Sequence, residues 1–149
     1  MEQPLLDALA YWEGKRSDRR MPARRDLDPV LEVPRLLPWL ILVDVLRKPL
    51  DFRYRLIGSG VVDRSGRNNT GKLISELPGV GPDSLLWRPR ATVVATGVPL
   101  RCEPPYVGPT PGVHGVVALH LPLSDDGETV SMILTMTMFH GGSGQHPTA

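Results

Sequence analysis

Hydrophobic positions change their period several times along the chain. Leu5, Leu9 and Trp12, with Leu6 and Ala10 beside them, recur at helical spacing and predict an amphipathic helix over about residues 4 to 14, stopping near Gly14. From Trp39 the period shortens. "WLILVDV" is dense in β-branched and aromatic residues and reads as a strand apolar on both faces, whereas "FRYRLIG" sets Phe52, Tyr54 and Leu56 against Arg53 and Arg55. The short "LRKPLD" between them predicts a hairpin. Residues 58 to 82 are polar and glycine-rich, with room for helical turns near Val61-Val62 and Leu73 to Leu77, and read as connecting structure and not as sheet. Helical spacing returns in "SLLWRPRATVVATG". Proline is welcome only at a helix start, so the helix is placed at about 89 to 96 with Gly97 as its stop. "PLRCE" is a short strand, and "PPYVGPTPG" is barred from a sheet interior.

The last segment, "VVALHLPLSDDGETVSMILTMTMF", reads as a long hairpin. A two-residue turn at Asp126-Gly127 pairs Leu123 with Val130, Leu121 with Met132, Leu119 with Leu134 and Val117 with Met136, all apolar. The opposite face pairs Pro122 with Ser131, His120 with Ile133, Ala118 with Thr135 and Val116 with Thr137, a mixed surface. A slip of two residues, from a longer loop, preserves this division; a slip of one destroys it. Asp125 and Asp126 sit at the tip, where two carboxylates lack the cleft that acid-base work requires, and read as turn residues.

The stretches "YW" at 11 and 12, "MPARRDLDP" at 21 to 29, "VPRLLPWLILVDV" at 33 to 45, "FRYRLIGSGVV" at 52 to 62, "GRNNTGKLISEL" at 66 to 77 and "LPLSDDGETVSMIL" at 121 to 134 occur in this order. In them the chain resembles the PAS-domain family, specifically small bacterial members that hold little more than one such domain. The resemblance implies an α+β PAS fold: a five-stranded antiparallel sheet of order 2-1-5-4-3, helices on one face, and an N-terminal helix that covers the outer face or dimerises. Residues 1 to 30 are then the N-terminal helix and basic connector, 31 to 140 the PAS domain, and 141 to 149 a disordered tail. The family's pattern Gly-Arg-Asp-hydrophobic-Thr-Gly is here Gly66-Arg67-Asn68-Asn69-Thr70-Gly71, which loses a carboxylate and an apolar anchor.

Composition adds boundaries to this picture. At 149 residues the chain has the length of one domain with a sizeable core, and 16 prolines and 15 glycines agree with many short elements. A formal charge of +1 gives no general pull toward nucleic acid or membrane. Six basic residues within 15 to 25 are read as a solvated connector, with an anion or nucleic-acid site as the alternative; no aromatics interleave them to stack on bases. Cys102 is the only cysteine, which excludes an internal disulfide and a thiolate zinc site and points to a reducing cytoplasm. The longest apolar run, "LLPWLILVDVL", contains Asp44 and is too short for a membrane span.

No enzyme motif survives inspection. "GSGVVD" lacks the third glycine of a dinucleotide loop, and His114 and His120 are too far apart on one strand to share a metal, so no metal site is expected. The family's haem-binding members present a histidine from the long helix and its flavin photoreceptors a cysteine in an asparagine- and glutamine-rich motif; both features are missing, and neither cofactor is expected. A non-catalytic sensor is therefore anticipated, acting through a homodimer or a signalling partner, with a small-molecule ligand in its cavity. The cavity candidates are Tyr54, Leu56, Trp87, Val93, Cys102, Leu119, Met132, Leu134 and Met136, chosen as inward-facing, adaptable or polar-tipped groups. The interface candidates are Leu5, Leu9 and Trp12, meeting Ile133 and Phe139. Arg88, Arg90 and Arg101 are read as solvated, with reception of an anionic group as the alternative. The competing class is a small α+β enzyme, for which Asp44 is the one buried acid the strand pattern offers.

Overall fold

Apolar strands at both ends of the chain must pair to satisfy their backbone groups, and they do so in one sheet. The structure, a computed structural model, describes residues 1–142. Strands β1 (Leu40–Leu46), β2 (Asp51–Ile57), β3 (Leu100–Cys102), β4 (Val113–Leu123) and β5 (Met132–Gly141) form an antiparallel sheet of order β2-β1-β5-β4-β3. Helices α1 (Gln3–Arg16), α2 (Pro29–Glu32), α3 (Ser59–Ser65) and α4 (Arg88–Thr96) complete an α+β PAS fold. Gly141 closes β5, and residues 143–149 of the expected tail lie outside the described residues. No helix of the described residues is long and apolar enough to cross a membrane.

Local chemistry explains the junctions. Backbone approaches so closely at Gly58 that a Cβ there would lie 2.3 Å from the Pro38 carbonyl oxygen, so the glycine after β2 serves packing. Residues 71 to 73 run beside the outer edge of β2, with Tyr54 N–H donating to the Lys72 carbonyl at 3.0 Å and Gly71 N–H to the Tyr54 carbonyl at 2.7 Å. This connecting segment therefore protects an edge strand. Pro122 can sit within β4 because pairing with β3 ends at Leu100↔His120. Its carbonyl instead accepts from Trp12 Nε1 at 2.8 Å.

Two registers differ from expectation. β4 and β5 pair as Leu123↔Met132, Leu121↔Leu134 and Leu119↔Met136, two residues away from the two-residue-turn pairing. The cause is the loop: Asp126 Oδ1 accepts from Glu128 N–H and Thr129 N–H, each at 2.8 Å, and from the Ser124 hydroxyl at 2.9 Å. Gly127 takes the φ of 83° this wider turn needs. Face parity survives the shift. In β2 it does not, because a bulge pairs Leu42 with Leu56 but Val43 with Tyr54 and leaves Arg55 over. Beyond the bulge, Ile57 joins the face of Tyr54 and Leu56 leaves it.

The assignment of faces is the larger correction. The all-apolar face of the hairpin, with Leu119, Leu134 and Met136, lies under α1, whose Leu5, Ala8 and Trp12 are buried. Ion pairs fix the helix there: Glu2 meets Arg101 at 2.9 Å, with His140 Nε2 also 3.8 Å from its carboxylate, and Asp7 meets Arg35 at 2.8 Å. Arg101 is the register partner of Leu119, and His140 shares the face of Met136. The apolar stripe of α1 thus does not meet Ile133 or Phe139, which are buried on the opposite side. Physically, two wholly apolar surfaces leave no polar group unpaired when they close on each other. The helix also runs past Gly14 to Arg16.

The basic connector is less solvated than expected. Met21, Ala23 and Leu27 are buried, and Ser124 N–H donates to the Pro22 carbonyl at 2.9 Å. Five of its six cations are engaged: Lys15 with Glu32, Arg16 with Glu13, Arg19 with Asp26, Arg20 with Glu128 and the Thr96 carbonyl, and Arg24 with the Leu27 carbonyl.

Candidate functional site

The mixed face of the sheet is the floor of a cavity. Two rows of Cα partners cross it: Cys102, Ala118 and Thr137 in one, and Leu100, His120, Thr135, Ile41 and Ile57 in the next. Above them the connecting segments and α4 leave a volume of about 260 Å³. Its walls are largely apolar, with Tyr54, Ile57, Val61, Leu86 and Phe139 prominent, and exposed Leu85, Arg67 and Val107 mark its mouth.

The loop between β3 and β4 forms one side. Tyr106 stands edge-on to Phe139, ring centres 5.9 Å apart, while its hydroxyl donates to the Arg64 carbonyl at 2.6 Å and accepts from Thr110 N–H at 2.9 Å. Thr110 Oγ1 donates to the same carbonyl at 2.8 Å. Prolines 104 and 105 stiffen the chain here, so a segment unable to join the sheet becomes a fixed wall. Opposite, Trp39 meets Phe139 at a tilt of 56°, ring centres 6.2 Å apart, and lies beneath the Arg64 guanidinium.

Polar groups concentrate on the floor. His120 is buried, with Nδ1 2.7 Å from Thr135 Oγ1 and Nε2 3.4 Å from Cys102 Sγ. Burial first, and the nearby Arg90 charge second, hold the imidazole well below its usual pKa, so it stays neutral. Burial likewise pushes the Cys102 thiol up. A cysteine beside a histidine is a nucleophile only as the thiolate and imidazolium pair, and both shifts oppose that proton transfer. Arg90 descends from α4 and is 3 % exposed; it donates to the Leu86 carbonyl at 2.7 Å, while its Nε has no partner. Thr137 Oγ1, also buried, has none either.

Of the cavity candidates read from the sequence, Tyr54 lines the space. Cys102 touches it indirectly through His120. Leu119, Leu134 and Met136 are buried beneath α1 and Met132 shares their face, because the apolar face went to the helix. Leu56 is turned out by the bulge and is 40 % exposed. Val93 is core, and Trp87 packs edge-on against Phe52 at 5.3 Å. Among the interface candidates, Leu5, Trp12, Ile133 and Phe139 are buried within the chain and Leu9 is half-buried. Asp44 is paired with Arg55 at 3.0 Å on the α1 side of the sheet, away from the cavity. His114 is carried out of step with His120 by a bulge near Gly115 and stacks on His140. Among the described residues, no group of three or more metal-ligating side chains assembles.

Sequence reasoning underweighted Arg90, His120, Thr135 and Thr137. Two signals were present. Arg90 lies at helical spacing from Leu86, just before its helix, and from Val93 within it, and the other three mark the one hairpin face that mixes polar with apolar groups.

A sheet of this order, packed on one side by an N-terminal helix and on the other by short helices around a cavity, is the α+β class of fold to which PAS domains belong. A family profile described as a PAS domain matches residues 1–101, so the chain belongs to the PAS-domain family. No curated protein and no solved structure matches it.

Proposed function

We propose that this protein is a ligand-sensing PAS module of the cytoplasm, which works without catalysis and passes its signal through contact with a partner protein or a second copy of itself. The observation that carries this reading is the cavity of about 260 Å³, which joins apolar walls to a few buried polar groups. That combination favours reversible capture: apolar walls supply affinity, and His120, Thr135, Thr137 and Arg90 orient the guest. The volume lies just below the ~300–1,000 Å³ common for drug-sized ligands, so the guest is small. A ligand changes signalling only by binding two conformations unequally, and the stiff loop around Tyr106 and the helix α4 are the elements that touch both cavity and surface. Non-covalent mass spectrometry of the purified chain, compared with the denatured chain, tests the proposal. A small molecule present in the first spectrum and lost in the second is expected. An empty chain that also fails to take up small apolar compounds would turn the reading toward a pure interaction domain.

A further inference from the structure

We infer that the cavity is built for a small organic monoanion, a carboxylate carried on an apolar body, with Arg90 and Thr137 receiving the carboxylate. This deepens the ligand-sensing proposal and rests on it. The first argument is an uncompensated charge. Arg90 is 3 % exposed, and among the described residues no carboxylate lies within ion-pair distance of it; its one recorded protein partner is the neutral Leu86 carbonyl. A guanidinium cannot shed its proton to escape burial, and a buried charge is costly unless paired.

Its position sharpens the argument. Arg90 is the third residue of α4, near the helix's positive end, where a cation is disfavoured and an anion welcomed. Thr137 lines the same space and its buried Oγ1 has no hydrogen-bond partner, whereas His120 and Thr135 satisfy each other. A fork of donors with one N–H unpartnered and a hydroxyl with no partner therefore stand in the lining of one cavity. A carboxylate accepts from both.

The remainder of the cavity decides the rest of the ligand. Ile41, Tyr54, Ile57, Val61 and Phe139 present carbon, which favours a branched or aromatic body over a sugar or a polyanion. Arg90 is the one buried cation among the cavity's lining residues, which matches a single negative charge.

The test uses the full chain and two pairs of matched probes: benzoate with benzamide, and hexanoate with hexan-1-ol. Thermal unfolding and calorimetry are recorded at about 10 mM probe, enough to fill a millimolar site. At least one carboxylate is expected to raise Tm and bind more tightly than its neutral counterpart. Arg90→Met should weaken that carboxylate by roughly 10- to 100-fold, the usual loss for a charged hydrogen bond, while leaving the neutral probe unchanged. Arg88→Met, at an exposed position, should change neither. Should Arg90→Met fold poorly, Thr137→Val, which keeps the side-chain size, must still weaken the carboxylate selectively. Equal binding of both members of each pair overturns the anion assignment and leaves ligand sensing standing, as does full retention of carboxylate binding in Arg90→Met. If neither the carboxylates nor the neutral probes bind, both the anion assignment and the ligand-sensing proposal fail.

Discussion

Single residues carry two separable roles here, one in the cavity and one beneath α1. His120 belongs to the first. Its ring faces Thr135, Cys102 and the Arg90 charge, and it is neutral in the folded state with a pKa well below 6.5. The unfolded chain takes up a proton near 6.5, so below that pH the unfolded state binds more protons and stability falls as pH falls. The carboxylates of Glu2, Asp7, Asp26, Glu32 and Asp126 are all held below their ordinary values of 3.8 or 4.5, so their losses begin only at more acid pH. Urea denaturation should therefore show about 1 kcal/mol lost between roughly pH 7.5 and 5.5 that His120→Gln does not lose. Equal losses in both proteins would refute the assignment. Trp12 illustrates the second role. Trp12→Phe removes the donor to the buried Pro122 carbonyl and should cost about 1–3 kcal/mol, read from the denaturation midpoint.

Among the elements, α1 shows most clearly what sequence patterning can and cannot settle. The stripe Leu5, Leu9 and Trp12 announced a helix that needed covering, and the two hairpin faces were legible because period-two alternation survives a two-residue slip. Which face met which helix was not legible. Alternation reports that two faces differ; it does not report which one closes dry and which one surrounds a void. The Leu56 error has the same origin, since "FRYRLI" contains no mark of the bulge that Val43 and Tyr54 reveal in three dimensions. Because α1 covers Leu119, Leu121 and Met136, removing residues 1–16 should expose them and produce aggregates or new oligomers in light scattering. The milder Leu5→Ala should cost about 2–5 kcal/mol and leave the oligomeric state unchanged. A truncated chain that stays soluble, with its original mass, would place the helix outside the folding unit.

For the molecule as a whole, the cavity sets stability against function. A space of about 260 Å³ on the mixed face of the sheet forgoes dispersion contacts that a packed core would make, and Ala118, flanked by Cys102 and Thr137, is the smallest side chain on its floor. Enlarging that residue distinguishes a real void from a closed core by the sign of the change. Ala118→Leu in a packed interior would be destabilised by about 1–3 kcal/mol through strain. In a void the added carbons find partners, and cavity filling of this kind commonly adds about 0.5–2 kcal/mol. At this chain length each 1 kcal/mol moves Tm by about 2–4 °C, so the two outcomes lie on opposite sides of the wild type and are easily resolved. A higher Tm for the ligand-free variant is expected. The same substitution should abolish the Tm rise caused by any ligand that occupies the floor, since a bound guest stabilises only the state that can hold it, by about 2.7 kcal/mol at a hundredfold excess over Kd. A variant that is more stable and also unresponsive would show that the fold gives up packing at this point in exchange for a binding site. A destabilised variant that still responds would show that the floor is already full and that ligands act elsewhere.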